Sequence, residues 1–149
     1  MKINFKLAER SDTSEVMEMM SEFYRHEELE FNENKIEKIL EELLTDINLG
    51  RIWLIENGKE KIGYLVLTYG FSIEYGGRDA LIDEFFIKEN YRGKGIGTEA
   101  LRIVEESCRA LGINAINLQV KKFNPNAKRL YERGGFKVIE RDFLIKKLI

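Results

Sequence analysis

Cysteine, histidine and proline each occur once in the 149 residues, as Cys108, His26 and Pro125. A single cysteine rules out a disulfide framework, and with a single histidine beside it there is no Cys/His zinc site. Any hydrolase built on a histidine base would have to use His26. No apolar run approaches the ~20 residues of a membrane span, and Met1–Lys6 is interrupted by charge with no apolar run behind it, so no secretory leader is expected. The formal net charge is only -2, whereas a protein that coats nucleic acid is normally strongly basic. These shortages predict a soluble, cytoplasmic protein with no metal, nucleic-acid or membrane partner. The length fits one domain over residues 1–149.

What is present is unevenly spread. Glu9 to Asp46 holds 13 acidic residues against 4 basic, while Lys121 to Ile149 holds 9 basic against 3 acidic. One end should attract cations and the other anions, although solvated helix faces give the same pattern. Lys2–Leu7 alternates as a half-buried strand does. Ser11-Asp12 offers an N-cap for a helix to about Glu28, and Ile36 to Ile47 lines a second helix. After Gly50 come a β-branched run, an Asn57-Gly58 hairpin signal, a returning strand over 61–72 and a third strand over 79–88. A helix from about Gly95 to Leu111 follows, with Cys108 on its apolar stripe, then a strand over 115–120. Asn124-Pro125 starts a last helix ending at Gly134-Gly135, and Phe136 to Ile149 supplies one or two final strands. The expected fold is α/β: a mixed, mostly antiparallel sheet of six to seven strands with helices on both faces, in the order β-α-α-β-β-β-α-β-α-β(-β).

The most informative stretch runs from Phe85 to Thr98. An apolar strand enters alternating glycines, and an amphipathic helix follows at once. Glycines let the backbone close on a ligand, and the new helix brings free N–H donors and partial positive charge, so the turn suits a phosphate. It lacks the spacing and the Lys-Ser/Thr of a P-loop. It also follows a β-meander, whereas a dinucleotide fold places its turn in an early βαβ unit. A glycine-rich loop that holds no ligand is the remaining structural alternative.

Arg92-Gly93-Lys94-Gly95-Ile96-Gly97 resembles the Arg/Gln-x-x-Gly-x-Gly/Ala pyrophosphate loop of the GCN5-related N-acetyltransferase superfamily. Asn124-Pro125-Asn126-Ala127, with Leu130-Tyr131-Glu132 and Gly134-Gly135-Phe136, resembles its second cofactor segment. Asp83-Glu84-Phe85-Phe86-Ile87 is similar to diamine and polyamine acetyltransferases. The resemblance implies an N-acetyltransferase with acetyl-CoA as donor. It implies a pyrophosphate on Arg92, Gly93, Lys94, Gly95, Ile96, Gly97 and Thr98, and a pantetheine arm along Phe85, Phe86 and Ile87. Asn124, Asn126, Ala127 and Tyr131 complete the cofactor contacts, and Tyr131 matches the tyrosine that protonates the leaving thiolate.

The acceptor amine must lose a proton, since an amine of pKa ~10.4 is about 0.1% or less neutral at pH 7. Glu84 is the first choice of base and Asp83 the second. Neighbours on a strand face opposite ways, but a bulge would relax that rule. Tyr24, Glu27, Glu28, Glu74 and Tyr75 are candidate acceptor contacts, with His26 read as a surface residue. The expected acceptor is a small cationic amine attacked directly in a ternary complex. Alternatives are a peptide acceptor or a non-catalytic acyl-CoA-binding module; oligomeric state stays open, a homodimer being one option.

Overall fold

The computed structural model describes residues 1–149. The first unit, Met1–Gln119, carries a five-stranded sheet in the order β1-β2-β3-β4-β5. The strands are β1 (Ile3–Leu7), β2 (Gly50–Asn57), β3 (Glu60–Ser72), β4 (Gly77–Ile87) and β5 (Ala115–Leu118). The first four pair antiparallel and β5 lies parallel to β4.

Cross-strand partners share a face, so the register sorts the side chains. Ile52, Leu54, Tyr64 and Val66 look to one face, where α1 (Thr13–His26) and α2 (Glu33–Thr45) pack with Val16, Met19, Met20 and Leu40. Arg51, Leu65 and Leu67 look to the other. There α3 (Ile96–Ala110) lies, and Arg51 Nη1 donates to Ser107 Oγ at 2.8 Å. Cys108 is buried on α3 as its stripe predicted, and burial pushes its thiol up to about 11.

Two local expectations are corrected. Asp12 precedes α1, but its side chain does not cap the helix. Asp12 Oδ2 instead accepts from the Glu9 N–H at 2.8 Å, and Lys6 Nζ sits 3.1 Å away, so the carboxylate serves the preceding 3-10 turn. The hairpin after β2 turns on Gly58-Lys59, one residue later than Asn57-Gly58, because Asn57 is still paired with Glu60.

The second unit, Val120–Ile149, contains α4 (Pro125–Arg133). Asn124 caps it as expected, Oδ1 accepting from the Ala127 N–H at 3.1 Å. Residues 136–149 form no strand, so the sheet has five strands where six to seven were expected. Val138-Ile139, Phe143-Leu144-Ile145 and Leu148-Ile149 are runs of adjacent apolar residues separated by Glu140-Arg141-Asp142 and Lys146-Lys147. That arrangement gives no single apolar face at a period of two, which a half-buried strand requires.

Candidate active site

β4 holds the site together through one irregularity. Leu67 of β3 pairs with Ile82 and Val66 pairs with Glu84, leaving Asp83 as an extra, unpaired residue. This bulge reverses the alternation. Ala80 and Ile82 share the face of Leu67, while Glu84 and Phe86 share the face of Val66 and Tyr64. Asp83 is exposed, and Glu84 is mostly buried. Adjacent carboxylates thus occupy different surroundings.

Glu84 has both carboxylate oxygens engaged. Tyr64 Oη donates to Oε1 at 2.8 Å, and Tyr24 Oη donates to Oε2. Tyr64 is fully buried, whereas Tyr24 near the end of α1 is partly exposed. Burial lifts the Glu84 carboxyl above its usual range; the two hydroxyls hold it back, and the Asp83 charge adds to the lift. Burial and the carboxylate also raise both phenols above their usual value, so both stay protonated donors at neutral pH. The Tyr24 ring packs edge-on to Phe23 and Phe31, with centroids 6.0 and 5.6 Å away. Behind it the helix closes in a Schellman turn: the Leu29 N–H donates to the Tyr24 carbonyl at 2.8 Å, with Glu28 at φ 56 where glycine is usual.

β5 pairs only with Asp79–Ile82. Asp83 to Ile87 therefore run beyond the end of β5, and Phe85, Phe86 and Ile87 border an open strand edge of the kind an extended amide chain can pair with. A 3-10 turn then leads to Arg92, whose Nε donates to the Ile87 carbonyl at 2.8 Å and whose guanidinium lies 5.9 Å from the Phe86 ring centroid. Gly93 and Gly95 have φ of 73 and 84, and a Cβ on either would meet nothing within 4 Å. The turn is thus open around its backbone, and α3 begins at Ile96 with no side-chain cap on its first N–H groups. Those donors, with Lys94 and Thr98 exposed alongside, fit a pyrophosphate.

Other expected site residues are distributed differently. Glu27 and Glu28 lie on the turn just after Tyr24. Glu74 and Tyr75 sit in the hairpin joining β3 to β4, beyond Arg78. Glu84 lies six residue steps along β4 from Arg78, roughly 20 Å at strand rise, so Glu74 and Tyr75 are not brought to Glu84. His26 is exposed and lines a cavity of about 280 Å³ with Glu22, Arg25, Phe86, Glu89 and Arg92. This is smaller than the ~300–1,000 Å³ of typical ligand pockets. In the second unit Tyr131 packs edge-on against Phe136 at 5.8 Å, and burial raises its phenol. Asn124 spends its carbonyl on the cap, and Asn126 Oδ1 accepts from Arg129. Tyr64 was read only as a strand residue. The available signal was a tyrosine within a strand apolar on both faces, where a buried hydroxyl needs a partner.

The model of the acetyltransferase (GNAT) family matches residues 14–136. YycN, an uncharacterized N-acetyltransferase of Bacillus subtilis, is 33% identical over 97 residues, 64% of this chain and 60% of its own length. A mouse thialysine N-epsilon-acetyltransferase is 28% identical over 137 residues, covering 84% of this chain and 78% of its own. Among solved structures, an integron cassette protein from the mobile metagenome of Cole Harbour Salt Marsh superposes with a TM-score of 0.88 at 36% identity, covering 97% of this chain and 90% of that one. A predicted acetyltransferase of Clostridium acetobutylicum, solved with acetyl-CoA, gives 0.82 at 19% identity over 97% and 96% of the two chains, a likeness of fold. The open β4 edge, the glycine turn and the family match over most of the sequence agree: this chain belongs to the GNAT family of acetyltransferases.

Proposed function

We propose that the protein is a cytoplasmic enzyme that transfers acetyl from acetyl-CoA to the primary amine of a small cationic acceptor. The observation that carries this reading is Glu84, a mostly buried carboxylate held by two tyrosines at the point where β4 runs beyond β5. A binding module has no need of such a group. Acetyl-CoA supplies the activated acetyl as a thioester.

In this reading the N–H groups from Gly93 to Thr98 hold the pyrophosphate, and Phe85 to Ile87 offer backbone partners to the arm. Glu84 takes the proton from the ammonium. A carboxyl raised by burial is a stronger base than an exposed one, which suits that task. Asp83, exposed at the bulge, attracts the cation and is the alternative base. Tyr131 acts as the acid: its raised phenol stays protonated at neutral pH, the state required to protonate a departing thiolate. The acceptor contacts are Tyr24, Glu27 and Glu28. The acidic stretch from Glu9 to Asp46 favours a cation, and the mouse relative is named for the ε-amine of thialysine, in line with a small amine.

The test is thiol release from acetyl-CoA across polyamines, diamines, amino acids, aminoglycosides and peptides, with the wild type and Glu84→Gln. Cationic small amines should be turned over. The Glu84→Gln enzyme should be slow at pH 7 and recover as pH rises, because more of the amine then arrives neutral. Preference for acidic amines would refute the acceptor class. An unaltered pH–rate profile would transfer the base to Asp83.

A further inference from the structure

The base proposed above has an unusual feature: neither carboxylate oxygen is left without a hydroxyl donor. Tyr64, fully buried, holds Oε1 at 2.8 Å, and Tyr24 holds Oε2. The ionisable groups acting on Glu84 are Tyr24 from α1, Tyr64 from β3 and Asp83 beside it on β4. Of the two tyrosines only Tyr24 has its side chain partly open to solvent; Tyr64 leads nowhere but the core.

We propose that Tyr24 is a proton relay between the acceptor amine and Glu84, with Tyr64 the residue that positions the carboxylate. The ammonium gives an N–H proton to Tyr24 Oη while the Tyr24 hydroxyl proton passes to Glu84 Oε2. The nitrogen keeps the bonding pair and becomes a neutral amine, the phenol is restored, and Glu84 becomes a carboxylic acid. No phenolate accumulates, as a phenol raised by burial and a neighbouring carboxylate requires. The relay also explains the packing of Tyr24. Its ring is wedged edge-on between Phe23 and Phe31, and the Leu29 N–H closes the helix end on its own carbonyl. A relay oxygen must stay within hydrogen-bond reach of both donor and acceptor, so its ring cannot swing freely.

This inference rests on Glu84 being the base, and the test separates the two. Single-turnover rates are measured in mixtures of H2O and D2O, with acetyl-CoA and the best acceptor among spermidine, 1,3-diaminopropane and lysine. A relay moves two protons at once, so the wild-type rate should fall along a curved, bowl-shaped line as deuterium increases; a straight line overturns the relay. Tyr24→Phe keeps the ring packing and should lower the single-turnover rate about 10–100-fold at pH 7, recovering as pH rises, with a straight isotope line. Tyr64→Phe should keep the bowl, because the relay atoms remain. If Glu84→Gln shows its pH-dependent loss while Tyr24→Phe matches wild type, the base stands and the relay falls. If none of the three amines is acetylated, both fall.

Discussion

Removing one oxygen atom from the core gives a sharp test of how Glu84 is held. Tyr64→Phe leaves the ring in place between Phe23 and Phe86, whose centroids lie 6.4 and 5.9 Å away, and deletes only the donor to Oε1. A hydrogen bond to a charged group contributes about 1.5–3 kcal/mol, and one between neutral groups about 0.5–1.5 kcal/mol. Where the pH is high enough for Glu84 to be ionised in the folded chain, the variant should lose about 2 kcal/mol, or ~4–8 °C in Tm for a chain of this size. At pH 4 or below the carboxyl is protonated in both states and the cost should shrink to about 1 kcal/mol. The direction follows from linkage. The folded carboxyl is raised above its ordinary 4.5, so between that value and the folded one the native state binds more protons than the unfolded state. Stability from this group is therefore complete below the ordinary value and declines as pH rises through the folded one. Without the Tyr64 hydroxyl, which lowers the folded value, the window extends to higher pH and the decline deepens. Asp12, held by the Glu9 N–H and then Lys6, and Glu56, held by Lys61, have carboxyls depressed against the effect of burial and give the opposite slope, but that slope is common to variant and wild type and cancels in the difference. Urea unfolding from pH 4 to 8 measures it, with m unchanged if compactness is preserved. The same substitution in a Glu84→Gln background should cost the same at every pH. A pH-independent offset with Glu84 intact, or a pH-dependent one without it, would refute the assignment of charge to that bond.

Two further substitutions probe the cofactor side. Gly95→Glu puts a carboxylate where φ is 84 and at the start of α3, and should weaken CoA binding by at least about tenfold by calorimetry with the far-UV spectrum retained; unchanged affinity in the folded variant would remove the pyrophosphate from this turn. Tyr131→Phe should keep its packing on Phe136 and most CoA affinity while lowering turnover by roughly 10²–10⁴-fold; near-normal single-turnover rates would leave Tyr131 a packing residue.

Most of the fold was legible because its signals are local. The stripe of Val16, Met19 and Met20, the Asn124-Pro125 start and the Cys108 face depend on residues three or four apart, and the helices formed where those patterns lie. The glycine turn was equally plain, since Gly93 and Gly95 lie next to the helix they introduce. What escaped was long-range. That Tyr64 meets Glu84 depends on the register between β3 and β4, and a one-residue change in that register exchanges the faces. The position of the bulge is likewise a property of two strands, so Asp83-Glu84 alone left open which carboxylate turns inward. The separation of Glu74 and Tyr75 from Glu84 follows from the length of the β3–β4 hairpin. The extra strands expected after Phe136 did not form; a strand needs an apolar face and a partner ladder as well as apolar residues.

The bulge at Asp83 has a consequence for substitution of the acidic pair. Because one residue of β4 has no counterpart on β3, the two carboxylates are not interchangeable copies of a single negative charge. Exchanging them, Asp83→Glu with Glu84→Asp, leaves composition, net charge and local hydropathy untouched. It nevertheless shortens the inner side chain by one methylene, about 1.5 Å of C–C bond, drawing it back from two phenols fixed by their own packing. A polar strand position of this kind behaves as a core position does, where length matters as much as charge. The exposed member, facing water, would accept either acid.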